Sequence, residues 1–158
     1  MKKPTLKEIE KRLDTLVQTV QRCEDFKMKA GVPYSKCVTC GKIVNCFGKN
    51  CMQGGHFIPR GCRITRWEED NVHPQCTRCN GFMGGAYIEY SSYMLNRYGK
   101  EKFESIIKQY NLHKNGRAHR LTPIEKYSLY NSWLHKGRVL EEKTGMKIFP
   151  KSWIDVTI

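Results

Sequence analysis

Two short motifs, Cys37-Val-Thr-Cys40 and Cys76-Thr-Arg-Cys79, each place a pair of thiols three positions apart. Gly54-Gly55-His56-Phe57 lies between them, and Asn80 follows the second pair at once. A C-x-x-C turn can present two thiolates to one tetrahedral ion, and Gly41 behind the first pair eases that turn. A closed four-sulfur site has no open coordination position. Zinc there is structural, and its binding energy, on the order of 10 kcal/mol, goes into folding. The intervening cysteines leave a second arrangement open: Cys37, Cys40, Cys46 and Cys51 as a self-contained knuckle, with Cys76 and Cys79 recruiting Cys62 or a histidine. Joining pair to pair is preferred. Cys46 and Cys51 could pair with each other, bind a second metal or stay free, and Cys23 reads as a small apolar residue on a helix.

If an ion pins both ends of a hairpin between the pairs, His56 and Asn80 can be brought face to face. A neutral imidazole can take a proton from water, and a carboxamide oxygen is a hard ligand suited to Mg2+. Water, a base and a hard cation beside a basic surface amount to phosphodiester hydrolysis. Gly54 and Gly55 would let a ligand approach the backbone closely. Spacing alone equally fits a structural or zinc-binding His56.

The elements that must hold these groups are legible in outline. Leu6, Ile9, Leu13, Leu16, Val20 and Cys23 make an apolar seam on a helix expected from about Thr5 to Lys29 and ended by Gly31 and Pro33. The seam suits packing on its own domain or a coiled-coil-like dimer contact. Residues 34–80 hold seven of the eight cysteines and show little periodicity, which predicts short strands and loops organised by metal. Helix returns after Gly85: one apolar face runs over Tyr87, Tyr90, Met94, Leu95 and Tyr98 and closes at Gly99, and the next runs over Phe103, Ile106, Ile107 and Tyr110. Thr122, Pro123 and Glu125 then form a helix start with a capping box, and Gly145 a stop. The fold class is therefore α+β. Its divisions are an N-terminal helix (1–31), a zinc-stapled core (32–99), and a C-terminal helical region with an extended tail (100–158).

The order C-x-x-C-G, G-H-F, R-W-E-E-D-N-x-H-x-Q-C-x-x-C-N, then a tyrosine-rich helix, resembles the phage NinG (Rap) recombination family, within the treble-clef HNH or His-Me finger nucleases. The likeness covers residues Cys37 to Ile107. It implies a ββα core in which Cys37, Cys40, Cys76 and Cys79 hold structural zinc and His56 is the general base. It makes Asn71 the middle asparagine that fixes the loop and orients His56, and Asn80 the ligand of a catalytic Mg2+ or Mn2+. His73 would touch the scissile phosphate or the metal, or else be a hydrogen-bonded structural histidine. The implied reaction is cleavage of branched recombination intermediates such as Holliday junctions and D-loops. The stretch Met52-Gln53-Gly54-Gly55 lacks the carboxylate usual before the histidine, so Gln53, His73, Glu89 or a backbone carbonyl would supply the second ligand.

Charge agrees with such a substrate. Lys and Arg number 28 against 15 acidic residues, a formal net charge of +13, and an excess this large points to a polyanion. Arg60, Arg63, Arg66 and Arg78 are the expected phosphate grips, with a second basic cluster at residues 113–120. Contacts of this kind select for DNA structure rather than sequence. Trp67, Trp133 and Trp153 read as core or interface anchors. No apolar run reaches the roughly 20 residues that span a bilayer, and no h-region follows the basic N-terminus, so a cytoplasmic protein without membrane contact is expected. The partner is branched DNA, and two cuts at a junction favour a homodimer. Two alternatives are a non-catalytic zinc-containing nucleic-acid-binding module and a sequence-specific HNH endonuclease.

Overall fold

A computed structural model describes residues 4–157; residues 1–3 and 158 lie outside it. Helix α1 (Leu6–Arg22) starts at Thr5, whose hydroxyl accepts the Glu8 backbone N–H while the Glu8 carboxylate accepts that of Thr5. Its seam is used inside the chain. Ile9, Leu13 and Leu16 are fully buried against helix α3 (Pro123–Thr144), together with Tyr130, Trp133 and Leu134. The face weighed as a dimer contact is thus already covered. At Gly137 a β-carbon would stand 3.1 Å from Leu16 and 2.8 Å from Phe149, so only glycine admits both α1 and the C-terminal tail at that depth.

The helix ends at Arg22 rather than near Lys29. Asp25 takes a left-handed φ of 50°, which turns the chain into a hairpin of β1 (Lys27–Lys29) and β2 (Val32–Lys36). Ala30 and Gly31 close it with two successive positive φ values, the geometry that matches strand twist in a two-residue turn. Strand β3 (Ile43–Asn45) pairs on the other side of β2. A second antiparallel sheet joins β4 (Gln53–His56) to β5 (Val72–Gln75), with Gly55 opposite His73 and His56 opposite Val72. A 3-10 turn, Glu69–Asn71, precedes β5, and a π-helical turn, Arg78–Phe82, follows it.

Helix α2 (Tyr87–Lys114) is broken at Gly99, where φ is 77° and ψ 171°. The expected stop at that glycine is real. Helix α3 has the expected capping box of Thr122 and Glu125 and ends at Gly145 in the left-handed conformation. The core falls into two main clusters. One joins α1, α3, Trp67 and Val72; the other sets Phe57 and Ile58 beneath Tyr90, Met94 and Ile106 of α2. The architecture is mixed α+β: an N-terminal helix, two small sheets and C-terminal helices. Among the described residues, no helix is long and apolar enough to cross a membrane.

Candidate functional site

The four cysteines of the two motifs converge. The sulfurs of Cys37, Cys40, Cys76 and Cys79 lie within 4.8 Å of one another, and Cys40 Sγ to Cys76 Sγ is 3.8 Å. Tetrahedral zinc with Zn–S bonds of about 2.3 Å needs sulfurs about 3.8 Å apart, so the donor set fits a zinc-like ion. The first pair sits in a turn closed by the Gly41 N–H on the Cys37 carbonyl, and Gly41 has φ 75°. The second pair follows β5, with the Asn80 N–H bonded to the Cys76 carbonyl. Burial opposes ionisation of Cys37, yet donors from Thr39 and from backbone N–H groups outweigh it and hold the thiol down to about 6. The self-contained knuckle is not formed. Cys46 turns to Ser35 at 3.1 Å, and Cys51 faces Arg22 Nη1 at 3.9 Å. Both are free thiols, as is Cys62 in the core beneath α2.

His56 and Asn80 line one cleft of about 580 Å³, with Gln18, Arg22, Gln53 and Arg60. His56 Nε2 lies 2.9 Å from the Arg66 carbonyl oxygen. A carbonyl only accepts, so Nε2 carries the proton and Nδ1 keeps its lone pair. Nδ1 in turn stands 3.4 Å from the Gln18 side-chain amide. Burial lowers the His56 pKa from its ordinary 6.5, and the charges of Arg60 and Arg66 push the same way. The ring is neutral at pH 7, with Nδ1 able to take a proton. Asn80 Nδ2 donates to Gln53 Oε1 at 2.7 Å, which brings the two carboxamides together.

Asn71 is fully buried, and its side chain ties the loop after His56. Its Oδ1 accepts the Ile58 N–H at 2.7 Å, and its Nδ2 donates to the carbonyls of Ile58 and Thr65 at 3.1 and 2.8 Å. Thr65 precedes Arg66, so this staple sets the carbonyl that His56 bonds.

Three expectations need correction. His73 does not reach the cleft. It is fully buried, with Nδ1 3.0 Å from a Glu24 carboxylate oxygen and Nε2 3.3 Å from the Tyr98 hydroxyl, inside a ring of Tyr90, Tyr93 and Tyr98. Alternation along β5 sends it to the opposite side, and it is the hydrogen-bonded structural histidine. Arg66 is no phosphate grip. Its guanidinium forks onto Asp14, with Nε to Oδ1 at 2.9 Å, and Asp14 also accepts from the Trp67 indole and from Arg60 at 3.0 Å. Gly54 and Gly55 serve internal packing: a β-carbon on Gly54 would meet the Gln18 backbone at 3.1 Å, and one on Gly55 would meet Gln75 Oε1 at 2.0 Å. Arg63 and Arg78 are exposed, Arg78 beside Lys42 and Asn50. Glu89 lies exposed on α2.

Sequence reasoning missed Gln18, Arg22 and Asp14, all from α1. Their spacing of four, Asp14-Gln18-Arg22, puts them on one helical face, and that signal was readable beside the apolar seam.

Comparison with known proteins places the chain among phage proteins. The chain is 28% identical over 79 residues to the protein ninG of Escherichia phage 933W and to that of Enterobacteria phage VT2-Sa. It is 27% identical over 79 residues to the protein ninG of Escherichia phage lambda. Each match covers 49% of this chain and 37% of the relative's length, so the chain spans well under half of these proteins. No solved structure matches. The family model of the bacteriophage lambda NinG protein matches residues 2–134, and with that span, which takes in both cysteine pairs and the cleft, the chain belongs to the NinG family.

Proposed function

We propose that this protein is a structure-selective DNA endonuclease of the His-Me finger type, cutting branched recombination intermediates by divalent-metal-dependent hydrolysis. The observation that carries the reading is the state of His56: Nε2 is committed to the Arg66 carbonyl, and Nδ1 is the ring nitrogen left to the cleft. Strands β4 and β5 with the turn that follows are read as the ββα unit. His56 Nδ1 accepts the proton of the attacking water once Gln18 gives way. Asn71 and the Asp14–Arg66 fork keep the imidazole in its tautomer and orientation. Arg60 and Arg22 offer charge to the phosphate.

Among the described residues, no carboxylate lines the cleft. A Mg2+ or Mn2+ ion would be held by the oxygens of Asn80 and Gln53 and by the substrate, and would supply Lewis-acid stabilisation of the phosphate's developing charge. Two neutral amides hold such an ion weakly, so titration calorimetry should detect no tight Mg2+ binding without DNA. A junction-bound His56→Ala protein should take up the ion. Tight binding by the free protein would point to a different ligand set.

The deciding experiment incubates wild type and His56→Ala with a labelled four-way junction and a linear duplex in Mg2+. Wild type should nick the junction, and the variant should be at least 100-fold slower. Equal nicking removes His56 as base. Binding without cleavage by wild type leaves a zinc-containing binding module, and cutting at particular linear sequences leaves a sequence-reading HNH enzyme.

A further inference from the structure

The turn behind Asn80 and the start of α2 carry apolar side chains that stand largely outside the core. Phe82 is 86% exposed and Ile88 79%, with Met83 and Tyr87 about half exposed between them. Ile43, Ile124 and Ile154 are exposed singly, the ordinary state of a protein surface. Four large apolar residues are exposed within seven positions of the chain, and exposed apolar side chains concentrated in this way mark a contact.

The tip is held firmly from behind. The Gly85 N–H bonds to the carbonyl of Cys79, itself one of the four clustered cysteines, and the Gly85 carbonyl accepts the Gln75 side-chain amide at 2.7 Å. The Met83 N–H returns to Arg78 and the Ala86 N–H to Met83, which stacks the π turn on the start of α2. Tyr87 lies on Phe57 with ring centroids 5.1 Å apart. Phe82 and Met83 thus project from an anchored loop, and their neighbours Gly84 and Gly85 form one wall of the His56 cleft.

What enters must be apolar at its faces and anionic at its edges. Arg78 is exposed one turn before Phe82, Arg60 lines the same cleft as Gly84 and Gly85, and the chain carries +13. A second copy would bring the same positive charge to this surface. Nucleic-acid bases flanked by phosphates satisfy both conditions. In a continuous duplex, an apolar side chain must first unstack a base step, which opposes its entry. At a branch point the strands exchange partners, and the step opens more readily than within a continuous duplex. We propose that Phe82 and Met83 form a wedge that enters the open base step of branched DNA and sets the preference of the cleft for branches over duplex. This rests on the reading of the cleft as a branched-DNA site.

The test uses a four-way junction with 2-aminopurine beside the branch point, and a linear duplex of the same sequence, in Ca2+ so that binding is read without turnover. Wild type should bind the junction more tightly and change the 2-aminopurine fluorescence. Phe82→Ser/Met83→Ser should lose about tenfold in junction affinity, keep its duplex affinity, and lose the fluorescence change. Phe82→Trp should retain both. Zinc content and thermal midpoint confirm that the variants fold. A double variant that keeps the wild-type junction-to-duplex ratio overturns the wedge alone. The same holds if its only change is a fall in mass by light scattering, which would assign the patch to self-association. A wild type with no preference for the junction overturns the wedge and the branched-DNA reading together.

Discussion

His56 is set by partners that arrive from three directions, and each leaves a measurable trace. The Arg66 carbonyl fixes its tautomer, Arg60 lowers its pKa by charge, and Asp14 raises it. Arg60→Gln should therefore raise the His56 pKa in an NMR titration. Asp14→Ala should lower it further, because the variant removes a favourable carboxylate and slackens the Arg66 carbonyl at once. A shift in the opposite direction would show that the fork does not act on the imidazole. Because the folded pKa lies below 6.5, the unfolded chain binds the proton more readily. The contribution of His56 to stability is full above about pH 6.5 and shrinks as pH falls toward its folded pKa. On the proposed role of His56 as base, cleavage should fall as pH drops through the folded pKa itself, at the lower edge of that window. Gly55 bears on the neighbouring strand: Gly55→Ala places a methyl where Gln75 Oε1 stands. Urea unfolding should show a loss of about 1–3 kcal/mol, and Gln75 should release Gly85.

The elements divide by how local their causes are. The stops at Gly99 and Gly145 and the capping box at Thr122 and Glu125 were legible because a few adjacent residues determine them. The convergence of the two C-x-x-C pairs was legible because metal geometry admits few solutions. The end of α1 was not. Its apolar spacing runs on to Cys23, and the actual stop is a left-handed Asp25 followed by a hairpin that gains its stability from pairing with β3. Nor were His73–Glu24 and Asp14–Arg66 legible, since partners separated by 49 and 52 residues leave no local pattern. The place of α1 follows from those pairs. It supplies Gln18 and Arg22 to the cleft, lies against the backbone of Gly54, and buries its seam on α3. Gly54→Leu should push α1 away from β4, reducing cleavage while zinc content stays the same. An unaltered rate in a folded variant would separate the helix from the site.

At the scale of the whole molecule, the four thiols join the end of β2 to the end of β5 across a loop that contains β3, β4 and the strand-leading turn of Asn71. Immediately around the cysteines few large apolar residues are buried: Met52 and the half-buried Val44 accompany them, whereas α1 and α3 share a cluster containing Leu13, Leu16, Tyr130 and Trp133. With an ion on the four thiols, the two regions would draw their stability from different sources, metal binding for one and apolar burial for the other. Mercurial titration with a zinc indicator should release one ion per chain. Hydrogen exchange after metal removal should then show protection lost first in residues 37–86, which include Asn80 and the Phe82 tip. The buried faces of α1 and α3 should exchange slowly still. On the proposed nuclease reading, junction cleavage should be lost along with that first step, because two of the four thiols flank the turn from which Asn80 reaches the cleft. Uniform loss of protection across the chain would mean that the helical cluster also depends on the ion. Retained protection in 37–86 would mean that the sheets stand without it, and either result would relocate what keeps Asn80 beside His56.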